Sequence, residues 1–185
     1  MNDEYDWDFY GNTPVISAIE RMIEQDKLAQ TLMLHGPGGI GKATLARRLA
    51  SRLLGDRARV EQDDLSRESN IQLMADREKL TSEKRNDDPL LFASHPDFVT
   101  FAPEGPLRQI SISQMRLLKE RAQYQPLKGR RRVFLIDRID RANEQAANSL
   151  LKILEEPPGH MIFTSPPRTP MTCCRPSGRA RCCWG

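Results

Sequence analysis

HGPGGIGKATLARR, residues 35–48, decides the fold. Gly36, Gly41 and Lys42 fit G-x-x-x-x-G-K, the spacing of a phosphate-binding loop. The stretch follows TLMLHG (31–36), an apolar run that reads as a buried strand, and it opens a helix predicted over Lys42 to Leu54. Gly38, Gly39 and Gly41 let backbone N–H groups point inward, making an anion nest at a helix N-terminus. Lys42 would set its ammonium near the outer phosphates of a nucleotide. The motif then needs Ser or Thr, whose hydroxyl holds Mg2+. Position 43 is Ala43, and the hydroxyl comes late, at Thr44. One step along a helix is a turn of about 100°, so Thr44 is expected to face elsewhere.

Outward from this loop, helices and strands alternate. Thr13 and Pro14 read as an N-cap and first helical residue, and Val15, Ile16, Ile19, Met22 and Ile23 follow helical spacing. In the helix from Lys42, Leu45, Leu49 and Leu53 are expected inside and Arg47, Arg48 and Arg52 in solvent. Residues 55–89 are polar and mixed in charge; they read as an exposed insertion with a loose helix around Leu73 to Leu80. DFVTFAP (97–103) predicts a second strand, and Ser111 with Gln114 a capping box that starts a helix ending near Gln123. RRVFLID (131–137) predicts a third strand, whose apolar centre suits the middle of a parallel sheet. Asn143 can cap a helix through Glu155 that turns Ala146, Ala147, Leu150, Leu151 and Leu154 inward, and HMIFTS (160–165) gives a fourth strand. This alternation is an α/β class with a parallel sheet and flanking helices.

The composition fits one domain of 185 residues, 29% charged and 38% hydrophobic. A net charge of +3 is too small to imply a nucleic-acid partner by itself. No run approaches the about 18 apolar residues of a membrane span, and MNDEYDWDF at the start carries no apolar signal core. A cytoplasmic protein with no membrane contact is expected. The cysteines, Cys173, Cys174, Cys182 and Cys183, all lie in the tail as adjacent pairs, which is not the spacing of a zinc site, so no zinc is expected.

A P-loop ATPase also needs an acid at the end of a neighbouring strand to hold Mg2+, and VFLIDRID supplies Asp137. Asp140 could be offered as a second acid, but on an extended chain it lies about 10 Å from Asp137, and it reads as a solvated turn residue.

YGNTPVISAIERMIEQDKLAQTLMLHGPGGIGKATLARRLA, SHPDFVTFAPEG and ISISQMRLLKERAQYQPLKGRRRVFLIDRIDRANEQAANSLLKILEEPP together resemble the delta-prime subunits of the bacterial DNA polymerase III clamp loader, which are AAA+ proteins. The resemblance runs from about Tyr10 to Gly159 and is weakest over 55–89. It implies a P-loop AAA+ core over 1–165 and a role in loading the sliding clamp on primed DNA, as one member of a hetero-pentamer of clamp-loader subunits in the polymerase III holoenzyme, a nucleotidyltransferase complex. In ATPases of this type a catalytic Glu follows the Mg2+-binding acid; here that position is Arg138. With Ala43 this makes two defects, so ATP with Mg2+ is expected to bind weakly at most through Gly36, Gly38, Gly39, Gly41, Lys42, Thr44 and Asp137. No catalytic residue is expected. The helix ending KILEEPP is implied to form part of an inter-subunit face, through Glu155 and Glu156. The zinc module of sibling ATPase subunits is excluded, because 55–95 contains no cysteine.

The alternatives are an active motor subunit of the same machine and a small P-loop kinase. A kinase would need arginines around a lid; Arg130, Arg131 and Arg132 lead into a strand instead and read as a solvated edge. Arg116, Lys119 and Arg121 could meet DNA phosphates, but a plain solvated helix face explains them better. The family's further motif, lid and collar do not appear, so the core is expected to be incomplete. Residues 166–185 change composition abruptly and are expected to be an aberrant, unstructured tail, a frameshifted readout of the family's normal segment. Read one nucleotide earlier, Cys174, Cys183 and Trp184 each become Leu, as the family continuation would suit.

Overall fold

A computed structural model describes residues 6–128, 131–155, 157, 159–165 and 182–183. Helix α1 (Thr13–Glu24) leads to strand β1 (Thr31–His35) and helix α2 (Lys42–Leu54). Three short helices follow: α3 (Arg57–Val60), α4 (Glu68–Glu78) and α5 (Ser82–Asp87). Then come β2 (Phe98–Phe101), α6 (Ile112–Ala122), β3 (Val133–Ile136), α7 (Glu144–Glu155), β4 (His160–Ser165) and β5 (Cys182–Cys183). The strands form a parallel sheet in the order β2-β3-β4-β1-β5.

Connection handedness explains the two helical layers. A right-handed crossover that moves one way along the sheet lies on one face, and one that moves back lies on the other. The connections β2 to β3 and β3 to β4 run one way. Their helices α6 and α7 pack with Val99, Phe101, Phe134, Ile136, Met161 and Phe163. The step from β1 to β2 runs back across β4 and β3, and it begins with α2. That helix packs on the opposite face, where Leu45 and Leu49 join Ile19, Leu32, Leu34, Phe98 and Ile162. Covered on both sides, VFLI of β3 is wholly buried. Met33 alternates to the α6 and α7 face, beside Phe163, and is 41% exposed there.

Several expectations need correction. Asn12, in a left-handed conformation with φ 52°, is the N-cap of α1, and Thr13 is its first residue. On α7 the buried stripe is Ala146, Leu150 and Ile153, while Ala147 and Leu151 face solvent. A spacing of three and four residues admits either face, and tertiary packing chose the one with Ile153. The insertion is not a loose excursion. Val60 is fully buried, and Leu65 and Met74 pack on Leu90, Phe92 and Ala102. Arg47 of α2 is buried, not solvated, because it donates to Glu61 at 3.1 Å and Asp64 at 2.6 Å in the insertion. Arg48 also reaches Glu61, and Arg52 pairs with Glu20.

Arg132 is likewise buried; it donates to the Arg121 and Gln125 carbonyls and lies 3.7 Å from Asp97. Arg131 pairs with Asp26 at 2.5 Å, and Arg130 lies outside the described residues. The expected capping box at Ser111 and Gln114 is formed, and the Asn143 side chain accepts from Ala146 N at 2.8 Å. The tail reading of 166–185 falls outside the described residues except for Cys182–Cys183, which pairs in parallel with Leu34 and His35.

Gly159 precedes β4 and lies against the backbone of Arg132, just before β3. A Cβ there would sit 2.7 Å from the Arg132 carbonyl oxygen, the same oxygen that accepts from His160 N at 2.9 Å. Backbone cannot swing away as a side-chain end can, so Gly159→Ala should cost about 2 kcal/mol. A urea melt that moves by less than about 0.5 kcal/mol would show that the strand ends yield freely.

Candidate functional site

The loop between β1 and α2 is built as its glycines require. Gly39 and Gly41 take φ of 79° and 83°, a region where a side chain is strained. Gly41 has a second reason to lack one, because a Cβ would meet the Phe9 ring at 2.9 Å. Over Gly38 and Gly39 the space is open, with nothing within 4 Å of a built Cβ. Gly36 continues the sheet, donating its N–H to the Ser165 carbonyl at 3.3 Å.

Lys42, the first residue of α2, is buried. Its ammonium donates to the Gly36 carbonyl at 2.7 Å and to the Pro37 carbonyl. Its pKa is lowered, first by burial; Asp137 opposes this, Arg138 adds to it, and Asp140 opposes it. Those three side chains therefore share one field with the lysine. Ala43 offers no hydroxyl, and Thr44 follows half-buried on α2.

Asp137 directly follows β3, and Thr164 stands near the end of β4, which lies beside β3 in the sheet. The Thr164 hydroxyl donates to Asp137 Oδ1 and accepts from the Arg138 N–H at 3.0 Å. Burial raises the Asp137 pKa, against the Thr164 hydrogen bond and the Arg138 charge. Thr164 was not singled out in the sequence. The available signal was a polar residue closing an apolar strand that ends level with the acid.

Arg138 turns the chain through a left-handed conformation, φ 55°, into a 3-10 turn at Ile139–Arg141. The turn folds Asp140 back, so the extended-chain separation does not apply. The Asp140 side chain is 4% exposed, not solvated. Arg138 grips it through Nε at 3.1 Å and Nη2 at 3.2 Å, and Arg141 Nε lies 3.7 Å away. The hydrogen bonds to Asp140 raise the Arg138 pKa.

Of the expected site residues, Gly36, Gly38, Gly39, Gly41, Lys42 and Thr44 lie in the loop after β1 and the first turn of α2, and Asp137 lies at the end of β3, one strand away across β4; Arg138 follows Asp137. Arg116, Lys119 and Arg121 are exposed on α6. A phosphate loop after β1 and an acid at the end of β3, with β4 set between the two strands, define a P-loop α/β domain of the AAA+ type. The family model described as "DNA polymerase III, delta subunit" matches residues 11–165, and the chain belongs to that family.

Among similar proteins is the DNA polymerase III subunit delta' of Pseudomonas aeruginosa, 30% identical over 135 residues, covering 73% of this chain and 36% of that protein. The DNA polymerase III subunit gamma of Buchnera aphidicola is 27% identical over 160 residues, 86% of this chain and 39% of that protein. The subunit tau of Escherichia coli is 26% identical over 173 residues, 89% of this chain and 23% of that protein. A solved structure of a DNA polymerase III gamma subunit-related protein from Thermotoga maritima matches with TM-score 0.49 at 19% identity, covering 81% of this chain and 39% of that chain. The chain therefore spans 39% or less of each of these relatives' length.

The class implies ATP with Mg2+, and the two parts of that ligand fare differently. The open nest over Gly38 and Gly39, with Lys42 beside it, fits a phosphate chain. The metal does not fit. Position 43 has no hydroxyl, the Asp137 carboxylate is engaged by Thr164, and the next residue is a cation. Among the described residues no group of three or more His, Cys, Asp or Glu side chains is placed to hold a metal ion. No described helix is long and apolar enough to cross a membrane.

Proposed function

We propose that this chain acts as a non-catalytic AAA+ partner in the clamp loader of a bacterial replicative polymerase. In this reading it joins other clamp-loader subunits in a hetero-pentamer and helps place the sliding clamp on primed DNA. The observation that carries it is Arg138, directly after the acid at the end of β3, where an ATPase of this type would carry a glutamate. A guanidinium has no basic lone pair to prepare an attacking water. Loss of one stabilising group at such a site commonly costs about 10²–10³-fold in rate, and Ala43 and Arg138 are two such losses. Leu151, 59% exposed, and Glu155, also exposed at the end of α7, support that helix as a surface offered to a neighbouring subunit.

The experiment is paired. The purified chain is expected to turn over ATP no faster than buffer, alone or mixed with gamma- or tau-type subunits lacking their own activity. The same chain is expected to be retained by those subunits in a pull-down. Turnover at the rates of AAA+ motors would favour an active motor subunit and overturn the reading, and so would failure to assemble. Ala43→Ser with Arg138→Glu should tighten Mg2+–ATP binding; no change would show that these positions are not the limiting defects.

A further inference from the structure

We propose that Arg138 stands in for the divalent cation, so that the loop between β1 and α2 takes a polyphosphate anion free of metal. This rests on the reading of the site as a retained but non-hydrolytic P-loop, and it says what such a site binds. A triphosphate entering a P-loop needs positive charge on both sides of its outer phosphates. On the α2 side the nest of Gly38, Gly39 and Gly41 and the Lys42 ammonium supply it. On the β3 side the usual source is a metal; here that side carries the Arg138 guanidinium, on a residue whose backbone N–H is held at 3.0 Å by Thr164 of β4, the strand that lies between β3 and the strand leading into the loop.

Arg138 is placed to make this exchange. Its side chain is 42% exposed, so it can swing without unpacking the core. Its present partner would not be stranded, because Arg141 Nε already lies 3.7 Å from Asp140. A guanidinium also matches phosphate with paired N–H donors, which an ammonium does not. The Asp137 carboxylate on the same side is held by the Thr164 hydroxyl, and the Arg138 charge next to it offsets its repulsion of an anion that arrives without metal. A metal-bound nucleotide gains nothing extra here, since it would bring a second cation against Arg138.

The test is calorimetric titration of the full chain with ATP, once in EDTA and once in excess Mg2+. Affinity in EDTA is expected to equal or exceed that in Mg2+. Arg138→Asn removes the charge with a residue that tolerates the left-handed conformation. It should weaken binding in EDTA by about tenfold or more, while Arg138→Lys should recover part of the loss. A thermal-shift series with pyrophosphate in EDTA repeats the comparison on each variant and reports that it is folded. Affinity tenfold tighter in Mg2+ than in EDTA would overturn the proposal, as would an unchanged affinity of Arg138→Asn in EDTA. Absence of binding in both buffers also overturns it, yet leaves the non-catalytic subunit reading intact, because assembly in the pull-down tests that separately.

Discussion

Replacing Asp97 with alanine is expected to cost about 3–5 kcal/mol of stability and to free the loop that follows α6. Asp97 is fully buried. One carboxylate oxygen accepts from Leu127 N at 2.6 Å and the other from Lys128 N at 2.7 Å. Arg132, itself buried, lies 3.7 Å away and ties the same segment through the Gln125 carbonyl. The variant removes the acceptor for two backbone donors and leaves a buried guanidinium without its carboxylate. The local turn should persist, since the Asp97 N–H donates to His95 Nδ1 at 3.0 Å through the backbone. Urea unfolding gives the energetic part. Amide exchange at Leu127 and Lys128 gives the local part and should become fast well below global unfolding. Asp97→Asn keeps one acceptor oxygen and should fall between parent and alanine. An alanine variant within about 1 kcal/mol of the parent would mean that solvent takes over these donors at no cost.

The sequence exposed the features that local chemistry dictates. A strand, a glycine nest and a helix must follow each other in HGPGGIGK, and Ser111 with Gln114 can cap only the helix that they begin. The centre of RRVFLID has no polar residue to face water, so a buried middle strand was the one outcome open to it. What escaped notice depends on partners far away in the chain. Arg47 reads as solvent-facing on any helical wheel, and nothing near it announces Glu61 and Asp64. Asp140 looks solvated until the left-handed turn at Arg138 folds it back, and a non-glycine residue gives little warning of that conformation. The choice between Leu151 and Ile153 on α7 is a rotation of a fraction of a turn, too fine for spacing to decide. At the site, the motif located each member of the loop. The hydrogen bond between Thr164 and Asp137 needed the sheet order, which places β4 beside β3.

Arg47→Met is expected to lower stability by about 2–3 kcal/mol at neutral pH and by much less in acid. Methionine keeps most of the apolar stem that packs in α2, so the change isolates the charge. Arg47 is 3% exposed and joins α2 to the insertion through Glu61 and Asp64. Glu61 keeps a partner in Arg48 at 2.6 Å, so the loss falls on Asp64 and on Asp63, which is buried behind them. Burial raises the Asp63 pKa, and Arg47 is among the groups that restrain the rise. The Asp64 pKa is lowered on balance, against its own burial, by hydrogen bonds from Ser66 and by the charges of Arg47 and Arg67. Without Arg47 both carboxyls move upward in the folded state. A folded-state pKa that rises relative to the unfolded chain makes stability fall as pH increases, because the native state then holds the extra proton. The deficit should therefore be full at neutral pH and shrink as pH falls through the carboxyl range, where both carboxyls are protonated with or without Arg47. Urea melts at several pH values measure it, and limited proteolysis should show new cleavage within 55–89. A deficit of the same size at every pH would assign the role of Arg47 to packing and reject the electrostatic clamp between α2 and the insertion.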